Sequence, residues 1–329
     1  MPERVPRVVL VLGTSTGGVG RHVRSLAGGC VVACPAATQA VFGFPHFSPL
    51  EIGSRPHPLH DASAVRRLRV LARSADVVHA HGLRAGSLAA LAGVRPLVVS
   101  WHNAVDGRLG RTLEQLVARR AQITLAASPD LADRARACGG RDVRLIPVSA
   151  PALVPTGVDP RLGRPLVLAV GRLHPQKGYD TLLAARHGFG DAVVAVAGEG
   201  PLAAELAVQA PDVHWLGRRD DVADLLAAAA VVVLPSRWEA RSLTAQEAMR
   251  AGRPLVVTAV GGLPDLVRDG ALVVAPGDPA ALAVAVRGLL DDPLAAAALG
   301  ERARVVAATW PDEAATRQQV AAVWDELAR

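Results

Sequence analysis

The sequence predicts an α/β protein built of two doubly wound domains. Three observations predict it. Short runs of Val, Leu and Ile alternate with amphipathic stretches from end to end, as parallel strands covered by helices on both faces do. That rhythm stops in a Pro- and Gly-rich segment without periodicity, "PVSAPALVPTGVDPRLGRP" (Pro147 to Pro165), and then restarts. The length, 329 residues, exceeds what one core usually fills.

The elements follow in order. The strand candidates of the first half are "RVVLVLG", "CVVAC", "DVVHAHG", "PLVVSWH", "ITLAAS" and "VRLIPV". Helical stretches such as "GRHVRSLAG", "SAVRRLRVLARSA" and "RTLEQLVARRA" lie between them. The second half repeats the pattern with "PLVLAVG", "AVVAVAG", "VHWLG", "VVVLPS", "PLVVTA" and "ALVVAP". It ends in helices, the last being "DEAATRQQVAAVWDELAR". The expected domains are 1–155 and 156–308, with the cleft between them as the ligand site. In such sheets ligands sit beyond the carboxyl ends of the strands, so the strand ends are the places to search.

Composition narrows the function. Half of the residues are hydrophobic and 20% are charged, an ordinary globular balance that excludes a disordered chain. No apolar run reaches the about 18–20 residues of a membrane-spanning helix, and "MPERVPRVVLVLGTSTGG" lacks a signal-peptide pattern. The expected location is therefore cytoplasmic. Cys30, Cys34 and Cys138 match no zinc or redox spacing and are expected as buried, reduced thiols. The net charge of +6 is uneven: residues 1–163 hold 20 Arg against 10 acids, the rest 16 Lys and Arg against 20 acids. A basic first half favours an anionic partner, such as a phosphorylated substrate or an anionic membrane face. Nucleic acid is not expected, because aromatics are 3% of the chain and no recognition motif is present. The Ala- and Arg-rich usage is that of a GC-rich genome.

The first strand runs into "GTSTGGVGRHV", where Gly17, Gly18 and Gly20 open a helix. Its N-terminal N–H groups suit a phosphate, although a tight turn alone would also use such glycines. The spacing is not GxGxxG, which weighs against a nicotinamide enzyme. His79 and His81 share one face of a strand, and His102 ends the next. A metal held by the His79/His81 pair would need further ligands, so none is expected. In "GRLHPQKGYD" Arg172 and Lys177 flank a turn that leads into a helix, and Lys177 is the one lysine beside 35 arginines. Both can face one anion. "VAGEGPLAAEL" carries a tight turn at Gly198, Glu199 and Gly200. In "PSRWEARSLTAQEAMRAGRPLVV" a helix can begin at Ser242 or Leu243. Glu239 then stays in the loop and Glu247 lies one turn inside, two carboxylates able to accept hydrogen bonds from sugar hydroxyls.

With E-x7-E in "PSRWEARSLTAQEAMRAGRPLVVTAVGGLPDLV" and "VGRLHPQKGYDTLL" ahead of it, the chain resembles the retaining family-4 glycosyltransferases of the GT-B fold, here bacterial. "GGVGRHV", "DVVHAHG" and "GEGP" agree. The resemblance covers nearly the whole chain and implies two Rossmann-like domains. The first would bind the acceptor, with a C-terminal helix of about 309–329 packing back on it. The second would bind a UDP- or GDP-linked sugar.

It implies that Arg172 and Lys177 hold the diphosphate, approached by the backbone of Gly17 and Gly18. Glu239 would sit near the donor sugar, with Ala240, Arg241, Ser242 and Leu243 following it. Glu247 would take the ribose hydroxyls, and Gly261 and Gly262 would offer backbone N–H groups. Gly198, Glu199 and Gly200 would line the donor site, and Arg218 or Arg219 would lie near the base. His102 would face the transferred sugar, beside acceptor-side candidates Gly20, Arg21, His81 and Asn103. Catalytic roles fall to His102, Glu239, Arg172 and Lys177. The implied reaction retains configuration and needs neither metal nor cofactor. The acceptor is open, anionic or lipid-linked, with peripheral contact at the inner membrane face as a possibility. A silent sugar-nucleotide-binding partner or sensor is the alternative. The chain departs from the family pattern at Ala240, Arg241 and Ala230. Arg241 would add a cation near the sugar.

Overall fold

The computed structural model describes residues 5–105 and 107–329. The chain divides into two compact units. The first runs to Ser149 and takes in Pro311–Arg329; the second is Ala150–Trp310.

The first unit alternates β1 (Val8–Leu12), α1 (Gly18–Leu26), β2 (Val31–Cys34), α2 (Ala36–Phe42), β3 (Phe47–Pro49), α3 (Pro58–Ala72), β4 (Val77–His81), α4 (Leu83–Leu91), β5 (Leu97–Trp101), α5 (Gly107–Arg120), β6 (Ile123–Ala126), α6 (Pro129–Ala137) and β7 (Val143–Leu145). Its sheet is parallel throughout, in the order β3-β2-β1-β4-β5-β6-β7. Strands β1, β4 and β5 are buried along their whole length, which is why they read as continuous apolar runs. Strand β3 has no such run: it is three residues, ends in proline and forms a sheet edge, where proline is tolerated.

The second unit contains β8 (Leu166–Val170), α7 (Tyr179–Ala185), β9 (Val193–Ala197), α8 (Ala203–Gln209), β10 (His214–Trp215), α9 (Val222–Ala228), β11 (Val231–Leu234), α10 (Leu243–Arg250), β12 (Leu255–Thr258), α11 (Leu263–Val267), β13 (Leu272–Val274), α12 (Pro279–Asp291) and α13 (Pro293–Ala308). Its parallel sheet has the order β10-β9-β8-β11-β12-β13. Alternate residues of β8 serve two cores. Leu166 and Leu168 pack with Met249 of α10 and Ala303 of α13. Val167 and Ala169 pack with Leu182 of α7 and Leu282 of α12.

The last helix, α14 (Glu313–Ala328), belongs to the first unit. Val320, Val323 and Trp324 cover Val8, Leu10 and Val77 of the sheet. Asp312 caps it by accepting from the Ala315 N–H at 2.7 Å, and Arg144 donates to Glu326 at 2.7 and 2.8 Å. In each sheet the strand order reverses beside the first strand of the unit. The crevices so made lie at the carboxyl ends of β1 and β4, and of β8 and β11. Among the described residues, no helix is long and apolar enough to cross a membrane.

Candidate functional site

In the second unit two loops leave the carboxyl ends of β8 and β11 and are laced together. The first, Gly171 to Gly178, is shaped by its neighbours. Gly171 N donates to Ala197 O at 2.9 Å, Leu173 N to Glu199 O at 2.9 Å, and the Tyr179 hydroxyl to Gly171 O at 2.9 Å. A 3-10 turn, Pro175–Lys177, then hands the chain to α7. The second loop, Pro235 to Ser242, meets it directly. Arg237 N donates to Gln176 O at 2.8 Å, and Gln176 Nε2 donates to Trp238 O at 2.9 Å. Gly178 sits at the contact in a left-handed conformation (φ 63°), where a Cβ would lie 2.1 Å from Pro235 O. Only glycine allows both the backbone angle and the approach.

This lacing sets Lys177 against Glu239. The Lys177 ammonium pairs with Glu239 Oε1, which also accepts from the Ser236 hydroxyl at 2.8 Å. Both side chains are largely shielded, with 20% and 9% of their surface exposed. The stem of Lys177 reaches back to Gly171, its Cε 3.5 Å from where a Cβ there would stand. Arg172, next in the chain, is exposed and makes no ion pair among the described residues.

Glu239 is held from behind by its main chain. Gly262 N donates to Glu239 O at 2.9 Å, and a Cβ on Gly261 (φ 50°) would stand 2.0 Å from that same oxygen. Ala240 is buried, Ser242 caps α10 by accepting from Ala245 N at 3.3 Å, and Leu243 opens the helix. Glu247 is buried in α10. The helix is tied to the end of β8 by Thr244 Oγ1, which donates to Val170 O at 3.3 Å.

Other candidates take different places. The Arg241 guanidinium lies 5.6 Å from the ring centre of Trp310, where burial and the nearby Arg250 and Arg268 lower its pKa to about 10. Gly198 and Gly200 have a packing reason of their own, since Cβ atoms would stand 1.9 Å from Gly171 O and 2.2 Å from Leu173 O. Glu199 is exposed between them. Arg218 is exposed near Asp220 (3.9 Å), and Arg219 is bound to Asp221 at 2.7 Å.

In the first unit the carboxyl ends of β4 and β5 gather histidines. His79 accepts at Nδ1 from the Trp324 indole at 3.2 Å, and its Nε2 lies 2.8 Å from Ser100 Oγ. An indole only donates, so the neutral His79 carries its proton on Nε2 and gives it to Ser100. His81 Nδ1 lies 3.2 Å from His102 Nε2, their rings stacked with centres 5.5 Å apart. His22, from α1, completes the group at 5.6 and 5.5 Å from those two rings. Burial holds all four imidazoles neutral, with smaller contributions from the neighbouring rings at His79, His81 and His102. His22 is lowered to about 4 and His79 to about 3, and His81 and His102 fall well below the usual range.

The loop after His102 is clamped. The fully buried Glu114 accepts from Val105 N at 3.1 Å and from Arg134 Nε at 2.8 Å, and Arg134 also donates to Val105 O at 2.8 Å. Asn103 is exposed in that loop. Gly17 and Gly18 are exposed at the start of α1, and Arg21 is exposed within it. Gly20 is buried against Phe42, whose ring would be 2.1 Å from a Cβ, so its smallness serves the packing of α1 on α2.

Sequence reasoning did not single out Ser236, Gly178, Tyr179, Glu114 or His22. The Gly after Lys177 and the Ser before Glu239 were readable signals. His22 was not, because its partners come from strands more than a full element away.

Comparison with known proteins follows the same division. The family described as glycosyl transferase 4-like domain matches residues 7–151, and the family described as glycosyl transferases group 1 matches residues 164–292. A glycogen synthase of Mycobacterium tuberculosis is 33% identical over 267 residues, 70% of this chain and 63% of that protein. The chain thus spans less than two thirds of that relative. An alpha-maltose-1-phosphate synthase of the same species is 29% identical over 349 aligned positions, covering 88% of this chain and 90% of the relative. Among solved structures, Anabaena HepE in complex with UDP and glucose superposes with a TM-score of 0.86 at 21% identity, over 97% of this chain and 99% of that one. At that identity the likeness is one of fold. The chain belongs to the glycosyltransferases of the GT-B fold, with a 4-like domain in its first half and a group 1 domain in its second.

Proposed function

We propose that this protein transfers a glycosyl group from a nucleoside-diphosphate sugar to an anionic acceptor, with retention of anomeric configuration and without a metal ion. The observation that carries the reading is the Lys177–Glu239 pair, fastened by Ser236 next to the exposed Arg172 at the carboxyl end of β8. HepE was solved with UDP and glucose, which supports a donor of that class here.

Cleavage of the anomeric C–O bond leaves negative charge on the diphosphate and positive charge on the sugar. Fixed cations at the leaving oxygens favour the transition state over the ground state. Arg172 supplies a planar fork and Lys177 a point charge. Glu239 orients Lys177 and offers its second oxygen to a sugar hydroxyl. With Oε1 already taken by two donors, Glu239 suits binding better than nucleophilic attack. Glu247 accepts from the ribose hydroxyls. The acceptor oxygen bonds to the anomeric carbon on the face the phosphate leaves, and its proton passes to the departing phosphate oxygen. His102, neutral and joined to His81, hydrogen-bonds the transferred sugar. The excess of arginine in residues 1–163 and the phosphate in the name of the maltose-1-phosphate synthase favour a phosphorylated acceptor, free or at a membrane face.

The test is release of nucleoside diphosphate by chelator-treated protein from UDP-, GDP- or ADP-glucose, with sugar phosphates as acceptors and the product anomer read by NMR. Acceptor-dependent release and a retained anomer are expected. Donor binding without release for every acceptor would make this a binding protein. An inverted anomer would remove the same-face mechanism, and loss of activity on chelation would remove metal independence.

A further inference from the structure

We propose that His22, His81 and His102 form a binding site for a divalent transition ion of the zinc class. Each brings one ring nitrogen to a common point, and the three nitrogens lie within 4.8 Å of one another. His81 Nδ1 and His102 Nε2 are 3.2 Å apart. Two nitrogens on one tetrahedral zinc, with bonds of about 2.0–2.1 Å, stand about 3.3 Å apart, so this pair already has ligand spacing.

The partners sort the four histidines of this group. His79 has both nitrogens committed, one to Trp324 and one to Ser100. His81 has only Nδ1 engaged, with His102, and its Nε2 is buried with no hydrogen-bond partner. A buried polar atom without a partner is costly, so the His81 ring is not locked on both sides by its surroundings as the His79 ring is. Burial keeps the three imidazoles neutral, the form that ligates metal. Three protein nitrogens leave a fourth position open for water, and imidazole ligands suit zinc and its neighbours in the series.

The ion is no part of the transfer reaction. Taking His102 Nε2, it occupies the group that the proposed function gives to the transferred sugar, so it would act as a brake. That consequence rests on the proposed function; the site does not.

The test uses full-length, untagged, chelator-stripped protein, titrated with Co²⁺ at neutral pH without donor or acceptor. The expected result is about one equivalent with the visible absorption of a tetrahedral site, displaced by Zn²⁺. His22→Asn and His102→Asn each weaken Co²⁺ binding at least about tenfold. A variant lacking the exposed, stacked pair His57 and His60 binds as the parent does. If His22→Asn fails to fold by circular dichroism, His102→Asn, at a half-buried ring, carries the test. Absence of the absorption at millimolar Co²⁺, or an unchanged titration in His102→Asn, overturns the proposal.

Discussion

Replacing Gly178 by alanine separates two costs that the structure assigns to one residue. Gly178 and Gly217 both have φ of 63°. An alanine at such an angle costs about 1–2 kcal/mol. At Gly217 nothing lies within 4 Å of the added Cβ, so that is the whole expected cost. At Gly178 the Cβ would stand 2.1 Å from Pro235 O, a main-chain atom that cannot rotate away. Overpacking of this kind adds about 1–3 kcal/mol, giving about 2–5 kcal/mol in all. The assay is urea unfolding of both variants, read by tryptophan fluorescence, with Trp215, Trp238 and Trp310 in the second unit. Gly178→Ala is expected to lie about 1–3 kcal/mol below Gly217→Ala. It is also expected to weaken donor binding, because the loop that moves carries Lys177. Equal midpoints for the two variants would refute the packing argument.

Three further outcomes are expected. Lys177→Arg should fold normally and bind the donor about tenfold more weakly, since a planar fork replaces a point charge between Gly171 and Glu239; unchanged affinity by calorimetry would take Lys177 out of the site. Glu114→Gln should cost about 2–4 kcal/mol in urea unfolding and raise KM, because it loosens the clamp on Val105; a normal midpoint would contradict the buried pair. The buried histidines should make the first unit acid-labile. Their folded pKa values lie below the usual 6.5, with His22 at about 4 and His79 at about 3, so the unfolded chain takes up protons first. Stability is then intact above about pH 6.5 and falls as pH drops towards about 4, by about 2 kcal/mol per such histidine at pH 5. Asp212, Asp221 and Glu326 have lowered pKa values, so their contribution is lost only as pH falls through the usual carboxylate range of about 4 and below, which leaves the window above about pH 5 to the histidines. A urea midpoint of chelator-treated protein that does not move between about pH 7.5 and about pH 5 would contradict the neutral cluster.

The strands were legible because both faces of each sheet are covered, so that β1 and β8 are apolar at nearly every position. Strand β3 was not, since three edge residues ending in proline carry no periodic signal. The start of α10 was legible in Ser242 and the residues after it, because a capping hydroxyl before an apolar helix is a local device. The partner of Lys177 was not. Spacing put Arg172 and Lys177 on one anion, whereas the fold brings a carboxylate 62 positions away onto the ammonium. That contact depends on Gly178 meeting the Pro235 carbonyl, which no local pattern encodes. Arg241 shows the same limit: it follows Glu239 in sequence, yet its guanidinium lies over Trp310.

The central claim is that the second unit binds a nucleoside-diphosphate sugar through Arg172, Lys177, Glu239 and Glu247. The most direct measurement is a thermal-shift titration with UDP-, GDP- and ADP-glucose, on the parent protein and on Lys177→Ala. A ligand at a hundred times its Kd stabilises the folded state by about 2.7 kcal/mol, a shift of a few degrees. At least one donor is expected to raise the midpoint of the parent, and at the same concentration to leave that of Lys177→Ala unmoved. No shift with any of the three at millimolar concentration, or equal shifts in both proteins, would contradict the account.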